Sequence, residues 1–420
     1  MRTIKSKKVV DSTVRLPGSK SFTHRIFMAA ALSDGPCEVK GPLSSEDTNL
    51  TAATLRKWGV AISPTSHGCR VKGLGGRFMP YETPVDLVNS GTSMRLLTAL
   101  AALGEGRYVL SGSPRLQQRP MQELIDALLQ VGVETEALNG NGCPPVAVLG
   151  GSLLGGKVRI DCSASSQYLS ALLLIAPLAP LGMEIEVSAG PVSTPYIDMT
   201  LSIMQQFGIE VLRHGHHRFS VLPGQTYRAC DIQVEPDASN ASYFWAVAAV
   251  TGARVKVLGL SQASCQGDIA FVDLLARMGC SVEKDDDGIA VTGGLLHGID
   301  ADMAAMPDLV PTLAVVAAFA QGSTNIRNVA HLRLKESDRL AAMTCELSKM
   351  GATVASDADS ITISGGTLHG AHIDTYDDHR IAMSFAVAGL RVPGVVIEHE
   401  QVVGKSFPTF WEVFENLYGD

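Results

Sequence analysis

Basic residues stand at the starts of several predicted helices. Lys20 and Arg25 lie in the first turns of one such helix, Arg95 in a second and Arg380 in a third. A helix N-terminus has unpaired N–H groups and partial positive charge, so it attracts anions and disfavours added cations. The Ser, Thr, Asn and Asp residues at these starts are ordinary N-caps. The repeated cations instead predict a local cluster that binds anionic ligand groups.

Three further basic segments extend this pattern: residues 113–120, 333–339 and 405–408. Arginine pairs with carboxylate or phosphate through two parallel hydrogen bonds, whereas lysine supplies a point charge. A solvated helix surface explains Arg333 well enough. It explains Lys335 and Glu336 less well, because opposite charges adjoin there and Arg339 follows within one helical turn. These segments are therefore predicted to join the anion-binding set.

Common nucleotide and metal motifs do not account for the basic residues. Lys20 follows Gly18 and Ser19, but a phosphate-binding P-loop requires glycine immediately before its lysine. No GxGxxG follows a predicted strand and no HExxH occurs. The sequence therefore predicts neither a metal nor a cofactor.

The composition excludes two further classes of partner. The chain carries 34 Lys and Arg against 42 Asp and Glu, a balance that disfavours general nucleic-acid binding. Its apolar stretches fall short of the roughly 20 residues of a membrane span, and no signal peptide is recognisable. We expect a cytoplasmic protein with no membrane partner.

Amphipathic helices that end in glycine recur along the 420 residues. Each has Leu or Met four residues before the glycine and is followed by two alternating strands. Glycine supplies the left-handed residue that commonly stops a helix. The five predicted stops are Gly59, Gly132, Gly208, Gly279 and Gly351.

A second, more apolar helix recurs at intervals of 70 to 74 residues. Its predicted starts are Lys20, Gly91, Ala164, Ala238, Asp308 and Asp378. Six repeats therefore fill the chain, and the sixth is split between the termini, with its last helix at Thr409–Gly419. Its missing strand is predicted near Val14–Gly18, because that segment echoes Ser220–Gly224. Termini that share one repeat indicate a closed arrangement rather than an open solenoid.

Each repeat has the predicted order strand, helix, strand, helix, strand, strand, which indicates an α/β protein. Six repeats fit two domains of three. We predict one domain from residues 1–19 and 236–420 and an inserted domain from residues 20–235. The hinges are expected near 16–20 and 234–237.

Six groups of residues occur in a characteristic order: Leu16–Ser21 with Arg25, Asn89–Arg95, Pro114–Arg115 with Arg119–Pro120, Ser165–Gln167, Lys335–Arg339 and Asp378–Arg380. Together they resemble the 5-enolpyruvylshikimate-3-phosphate (EPSP) synthase family, the 3-phosphoshikimate 1-carboxyvinyltransferases. The resemblance extends from residue 16 to residue 408. It implies a two-domain inside-out α/β barrel, with three βαβαββ units around a pseudo-threefold axis in each domain.

The resemblance also implies a reaction. The enolpyruvyl group of phosphoenolpyruvate moves to the 5-hydroxyl of shikimate 3-phosphate, and phosphate leaves after addition and elimination through a tetrahedral intermediate. This transferase step belongs to the shikimate pathway, which leads to chorismate and the aromatic amino acids. It needs no metal or cofactor, and glyphosate is the family's inhibitor. We expect a cytoplasmic monomer that binds these two substrates.

Site residues follow from the resemblance position by position. The shikimate 3-phosphate contacts are expected at Ser21, Arg25, Ser165, Ser166, Gln167, Ser193 and Tyr196. The phosphoenolpyruvate contacts are expected at Lys20, Gly91, Arg115, Arg339, Arg380 and Lys405. Further substrate contacts are assigned to Asn89, His331 and His379. The catalytic groups are expected to be Asp308, Glu336, Lys335 and Lys20, with the proton roles of the first three left open.

The clustered cations suit this chemistry, because each substrate carries a phosphate and a carboxylate. Like charges 4 Å apart repel by about 4 kcal/mol at an effective dielectric near 20. Arginine, lysine and helix N-termini offset that repulsion and orient the reactants. The domain with residues 236–420 is expected to hold phosphoenolpyruvate and the acid and base, and the inserted domain mainly shikimate 3-phosphate.

The chain departs from the family pattern at some positions. Leu96 stands where many members have proline, and His331 stands where asparagine is common. Gly91 is kept, which indicates ordinary phosphoenolpyruvate binding, because a missing Cβ lets backbone approach a small ligand.

Two alternatives remain open at this point. UDP-N-acetylglucosamine enolpyruvyl transferase shares the fold and the donor, but it typically has Lys-Asn where this chain has Lys20-Ser21. It also carries a reactive Cys or Asp in a loop that here contains neither. A non-catalytic repeat protein that binds anionic metabolites would not need Asp308, Lys335 and Glu336 together.

Overall fold

The computed structural model describes residues 1–418, which form two compact units. The terminal unit consists of Met1–Pro17 and the chain from Glu235 onward, and the inserted unit is Gly18–Val234. These boundaries fall two residues and one residue before the predicted ones. None of the helices among residues 1–418 is long and apolar enough to cross a membrane.

Twelve α-helices are present in the described part of the chain. They are α1 (Lys20–Leu32), α2 (Glu46–Lys57), α3 (Gly91–Ala101), α4 (Gln122–Gln130), α5 (Gln167–Ile175), α6 (Pro195–Gln206), α7 (Ala238–Thr251), α8 (Phe271–Arg277), α9 (Val310–Ala317), α10 (Arg339–Lys349), α11 (His379–Gly389) and α12 (Phe410–Glu415). Short 3₁₀ turns precede α9, α10 and α12, at Pro307–Leu309, Ala330–Leu334 and Glu400–Lys405.

The strands are short and belong to six sheets. Those before the inserted unit are β1 (Arg2–Thr3) and β2 (Ser12–Val14). Those of the inserted unit are β3 (Pro36–Lys40), β4 (Ala61–Thr65), β5 (Gly68–Lys72), β6 (Val85–Asp86), β7 (Gly106–Ser111), β8 (Thr135–Ala137), β9 (Val146–Gly150), β10 (Gly156–Asp161), β11 (Met183–Ala189), β12 (Leu212–His214), β13 (Arg218–Val221) and β14 (Ile232–Gln233). Those that follow are β15 (Arg254–Leu258), β16 (Ser281–Lys284), β17 (Gly288–Thr292), β18 (Asp300–Asp302), β19 (Ser323–Arg327), β20 (Thr353–Ser356), β21 (Ile361–Ser364), β22 (His372–Ile373) and β23 (Val396–Ile397).

The inserted unit repeats one sheet topology three times. Its sheets have the strand orders β14-β3-β5-β4, β6-β7-β9-β8 and β10-β11-β13-β12. In each sheet the first two strands are parallel and the others antiparallel. A parallel pair needs a crossover connection, and the apolar helix of each repeat supplies one within the second and third sheets. The predicted βαβαββ repeat is confirmed here.

The terminal unit has the sheets β16-β17-β15-β2, β18-β19-β21-β20 and β1-β23-β22. Strand β1 pairs antiparallel with β23, so the sixth repeat is indeed completed from the N-terminus. The strand predicted for that role was wrong. Strand β2 instead runs parallel to β15, in the place that β14 takes beside β3 in the other unit. The echo between residues 14–18 and 220–224 therefore does not mark equivalent strands.

The apolar helices form the interior of each unit. In the terminal unit α7, α9 and α11 pack against one another, and in the inserted unit α3 packs against α1 and α5. Every residue of α9 and α11 is buried, as is every residue of α7 except Thr251. Helices that are apolar all round need such a location. Charged side chains at their starts are consequently drawn toward the interior.

The predicted helix boundaries are close to those observed. Helices α1, α3 and α7 begin at the predicted residue, whereas α5 begins at Gln167 rather than Ala164. Ser165 Oγ accepts a hydrogen bond from the Gln167 N–H at 3.2 Å, a local turn that competes with helix. Helix α9 begins after a 3₁₀ turn, because Pro311 has no N–H to donate to residue 307.

Helices α2, α4, α6, α8 and α10 each end two residues before a predicted glycine stop. All five glycines have φ between 80° and 111°, the left-handed conformation expected of a helix stop. The last helix is α12, and the predicted end of that helix at Gly419 lies outside the described residues.

Candidate active site

A single carboxylate joins two arginines in the terminal unit. Asp308 lies in the turn before α9, and its Oδ1 accepts a hydrogen bond from Arg339 Nη1 at 2.8 Å. Its Oδ2 accepts one from Arg380 Nη2 at 2.7 Å. Arg339 begins α10 and Arg380 is the second residue of α11, so three neighbouring helix starts supply the three side chains. Asp308, Arg339 and Arg380, which the sequence singled out, thus lie together in the terminal unit.

Asp378 orients the Arg339 side chain through hydrogen bonds to its guanidinium. Its Nε donates to Asp378 Oδ2 at 2.8 Å, and Ser337 Oγ donates to the same oxygen at 3.0 Å. Asp378 also caps α11, since its Oδ1 accepts the Arg380 N–H at 3.0 Å. One buried carboxylate thus fixes one arginine side chain and the backbone of the other.

These contacts set the ionisation of the cluster. Burial alone would raise the pKa of the Asp308 carboxyl, but the charges of Arg380, Arg339 and Lys335 overcome it and hold that pKa well below its usual range. Burial would likewise lower the pKa of Arg339, but Asp378, Glu336 and Asp308 raise it instead. Asp308 is therefore ionised, and in this arrangement it is a weak base.

Glu336 lies beside the same arginine. Its Oε2 accepts a hydrogen bond from Arg339 Nη2 at 3.0 Å. Lys335 is near enough to contribute to the electrostatics of both Asp308 and His331. Burial, reinforced by the Lys335 charge, lowers the pKa of His331 to about 3, so its imidazole is neutral. Within residues 1–418 His331 Nε2 has no hydrogen-bond partner.

The remaining predicted residues of this unit, His379 and Lys405, are also buried. His379 is fully buried, and its Nδ1 is 3.7 Å from Asp378 Oδ1. Lys405 is buried at the end of the 3₁₀ turn Glu400–Lys405. Arg380 Nη1 also donates to the hydroxyl of Tyr243 on α7 at 3.3 Å.

In the inserted unit, Arg25 is the centre of a second polar cluster. Its Nε donates to Thr200 Oγ1 at 2.7 Å, and its Nη2 lies 3.4 Å from Ser170 Oγ. Its Nη1 donates to the Ser21 carbonyl at 3.1 Å, and the guanidinium is 5.8 Å from the centre of the Tyr196 ring. The side chain is 1% exposed, so hydroxyls and a carbonyl rather than water solvate this charge.

Gly91 lies against two further guanidiniums. A Cβ atom built on Gly91 would stand 2.5 Å from Arg95 Nη1 and 2.6 Å from Arg119 Cζ. Arg95 Nη1 also donates to Gln167 Oε1 at 3.3 Å, and Arg119 Nη1 to the Asn89 carbonyl at 3.4 Å. The missing side chain of Gly91 is what lets both arginines lie over the start of α3.

The other predicted residues of the inserted unit are arranged more locally. Lys20 Nζ is 3.5 Å from Asp47 Oδ2, and Arg115 Nη1 is 3.5 Å from Gln118 Oε1 in its own loop. Ser166 is buried at the start of α5. Ser193 has φ of 54° and a buried Oγ that makes no hydrogen bond within the described chain. A buried hydroxyl without a partner is costly, which is consistent with a place for a bound anion.

Sequence reasoning missed the residues that orient these groups. They are Asp47, Ser170, Thr200, Tyr243, Ser337 and Asp378. Only Asp378 carried a recognisable signal, as the first residue of a helix-start motif. Ser337 lies in the bend just before α10, and the others are ordinary helix residues. The partners of all of them are far away in the chain.

Fold and site together define a class of protein, namely a two-unit α/β protein with clustered guanidiniums, lysines and carboxylates suited to small anionic molecules. A family model for EPSP synthase (3-phosphoshikimate 1-carboxyvinyltransferase) matches residues 4–414. The chain therefore belongs to the EPSP synthase family of enzymes.

Individual relatives agree with the family match. A 3-phosphoshikimate 1-carboxyvinyltransferase from Syntrophobacter fumaroxidans is 46% identical over 419 residues, covering 99% of both chains. One from Methanosphaerula palustris is 47% identical over 414 residues, 98% of this chain and 97% of the relative. The structure of EPSP synthase from Acinetobacter baumannii matches with a TM-score of 0.83 at 30% identity, over 99% of this chain and 98% of that one. The predicted family and fold class are thereby confirmed.

Proposed function

We propose that this enzyme transfers the enolpyruvyl group of phosphoenolpyruvate to the 5-hydroxyl of shikimate 3-phosphate and releases phosphate. The observation that carries the proposal is the position of Asp308 between Arg339 and Arg380, with Glu336 on the same arginine. Two guanidiniums suit the phosphate and carboxylate of phosphoenolpyruvate, and two carboxylates suit proton transfer.

Phosphoenolpyruvate would replace the Asp308 carboxylate as the partner of the guanidiniums. In the terminal unit we assign Arg339, Arg380 and Lys405 to this substrate, with His379 beside them. In the inserted unit we assign Lys20, Gly91 and Arg115 to it. Guanidiniums that pair with the substrate would depress the pKa of Asp308 less, and this would make Asp308 a better base.

Shikimate 3-phosphate is assigned to the second polar cluster. Arg25 and Ser21 would bind its carboxylate, because the guanidinium is buried in this cluster and is oriented by its hydrogen bonds to Thr200 and to the Ser21 carbonyl. The phosphate would be bound by the serines Ser165, Ser166 and Ser193. The ring would lie near Gln167 and Tyr196, with further contacts from Asn89 and His331.

The chemistry needs three proton movements. Asp308 would accept the proton of the 5-hydroxyl as its oxygen forms a bond to C2 of phosphoenolpyruvate, and Glu336 would protonate the methylene carbon. Phosphate then leaves from C2 and the methyl group returns a proton, which restores the double bond. Lys335 and Lys20 would stabilise charge that develops in these steps.

Further proposals follow from membership of the family. We propose that the terminal unit provides the acid and base, that glyphosate competes for the phosphoenolpyruvate contacts, and that the enzyme acts as a cytoplasmic monomer in the shikimate pathway. The reaction as written balances without a metal or cofactor. Sedimentation of the purified protein tests the oligomeric state directly.

The proposed function is tested by phosphate release from phosphoenolpyruvate with shikimate 3-phosphate or UDP-N-acetylglucosamine as acceptor. Release with the shikimate acceptor alone is the expected result. Release only with the sugar nucleotide would overturn the proposal in favour of the sister enzyme. Glu336→Gln should still bind both substrates but release phosphate at least about a hundredfold more slowly.

A further inference from the structure

An unfavourable turn leads directly into α11. Tyr376 and Asp377 have φ of 51° and 53°, and the Asp378 N–H donates to the Thr375 carbonyl at 2.8 Å. A four-residue turn with positive φ at both central residues normally contains Gly, Asn or Asp there. A bulky tyrosine in this conformation is strained and persists only where its surroundings impose it.

A buried carboxylate imposes this conformation. Glu346 on α10 is fully buried, and its Oε1 accepts a hydrogen bond from the Tyr376 hydroxyl at 2.7 Å. Its Oε2 accepts the Asp374 N–H at 3.2 Å, and Lys349 Nζ donates to both oxygens at 2.8 and 2.9 Å. The carboxylate is thus compensated in charge and bonded both to the residue before the turn and to one of its central residues.

The hydroxyl of Tyr376, rather than its ring, accounts for a tyrosine at this position of the turn. The residue is 36% exposed, so packing of the ring does not explain why a tyrosine occupies this turn. Burial of the hydroxyl and its hydrogen bond to Glu346 raise the pKa of Tyr376, which keeps it a donor.

The connection to the active site runs through one helix and one turn. Helix α10 begins with Arg339 and carries Glu346 about two turns later. The turn ends at Asp378, which pairs with Arg339, and Arg380 follows two residues later. We propose that Glu346 and Tyr376 are positioning residues that fix the Thr375–Asp378 turn to α10, and so fix the relative placement of the two phosphoenolpyruvate-binding arginines. This inference rests on the proposed function for its ligand.

The test compares wild type, Tyr376→Phe, Glu346→Gln and the double variant in steady-state phosphate release. We expect each single variant to raise KM for phosphoenolpyruvate about five- to tenfold while changing kcat less than about threefold. KM for shikimate 3-phosphate should be unchanged. The double variant should be no worse than the more impaired single variant by more than about twofold, because both changes act on the same Tyr376–Glu346 hydrogen bond.

The matched control is Val291→Ala, a core change in β17 of the same unit. It should lower thermal stability and leave both KM values unchanged. If Tyr376→Phe behaves like Val291→Ala, or if its effect multiplies with that of Glu346→Gln, the positioning role is overturned.

A second measurement separates this inference from the proposed function. Amide hydrogen exchange of residues 376–380 should accelerate at least about tenfold in Tyr376→Phe and remain at the wild-type rate in Val291→Ala. A wild-type enzyme without phosphate release would refute the proposed function. Unchanged exchange in Tyr376→Phe would refute the positioning role whether or not the wild type turns over.

Discussion

Arg339 and Asp378 form a two-point ion pair with both side chains buried. Nε and Nη2 of Arg339 lie 2.8 and 3.3 Å from the two carboxylate oxygens, and the side chains are 1% and 0% exposed. The pair fixes the plane of the guanidinium, so Nη1 points to Asp308 and Nη2 also reaches Glu336. Asp378 therefore orients an arginine that the proposed reaction needs.

The variant Asp378→Asn tests this relationship. It keeps the shape of the side chain but leaves the buried Arg339 charge short of a counter-charge. We expect a loss of about 3–5 kcal/mol in the free energy of unfolding of the terminal unit, and a raised KM for phosphoenolpyruvate. Urea denaturation and steady-state phosphate release measure the two effects.

An exposed ion pair in the same unit supplies the control. Arg327 Nε lies 2.7 Å from Asp300 Oδ1, but their side chains are 49% and 56% exposed. Asp300→Asn should change the free energy of unfolding far less than Asp378→Asn does, because solvent screens the exposed pair, and it should leave KM unchanged. Equal destabilisation by the two variants would show that burial does not distinguish the pairs.

The sequence predicted the repeat because its signals are local. A glycine stop or an N-cap acts on the residues beside it, so α2, α4, α6, α8 and α10 end where expected. The strand for the split repeat was wrong because strand pairing depends on partners far away in the chain. Strand β2 pairs with β15 more than 240 residues away, and no short pattern specifies that choice.

The site was predictable to a similar extent. The sequence singled out Asp308, Glu336, Arg339 and Arg380 as candidate site residues. In the structure Arg339 donates hydrogen bonds to Asp308 and Glu336, and Arg380 donates one to Asp308. The groups that orient them were not predictable. Thr200, for example, is 175 residues from Arg25, and nothing in its own sequence neighbourhood marks it as a partner of a buried charge.

The lowered pKa of His331 predicts that the folded protein becomes less stable as the solution becomes acidic. Its pKa is about 3 in the folded protein and ordinarily 6.5, so between these values the unfolded chain binds the extra proton. The stabilising contribution is complete above about pH 6.5 and is lost as pH falls toward 3, by up to about 1.4 kcal/mol per pH unit. Urea midpoints at pH 5 and 7 should show a smaller difference for His331→Asn than for the wild type.

The test compares how much stability the wild type and His331→Asn each lose between pH 7 and pH 5. A loss of stability that is the same at both pH values therefore does not affect the result. His297 in the same unit is exposed and outside the cluster, and it provides the control variant His297→Asn. If His331→Asn and the wild type lose stability in parallel between pH 7 and 5, the buried neutral imidazole is refuted.

The raised pKa of Asp268 predicts the opposite dependence of protein stability on pH. Its carboxyl is buried, Ser239 donates a hydrogen bond to its Oδ2, and its Oδ1 has no partner in the described chain. Burial and the charge of Asp308 raise its pKa from 3.8 to about 7. The folded protein therefore holds a proton that the unfolded chain releases, and this contribution is complete below about pH 3.8 and is lost as pH rises through 7.

Asp268→Asn should remove this proton while keeping a neutral side chain of the same size. Between pH 5 and 7 the variant should gain stability relative to the wild type as pH rises. Carbonyl infrared absorption of a protonated carboxyl, present in the wild type at pH 6 and absent in the variant, gives a direct reading. A wild type without that band would contradict the prediction.

Gly91 predicts a change in ligand binding without a change in stability. Its φ is not in the left-handed range, so alanine introduces no backbone strain, and the first turn of α3 tolerates it. The added methyl would meet Arg95 and Arg119 at 2.5 and 2.6 Å, but these are ends of flexible side chains that can move aside. Gly91→Ala should therefore shift the guanidiniums, raise KM for phosphoenolpyruvate about tenfold and weaken glyphosate inhibition at least as much, while the melting temperature stays within about 2 °C.

The matched control is Gly35→Ala, whose methyl approaches only the Ala229 methyl group at 3.2 Å and should change neither constant. An unchanged KM in Gly91→Ala would mean that Gly91 is not one of the phosphoenolpyruvate contacts.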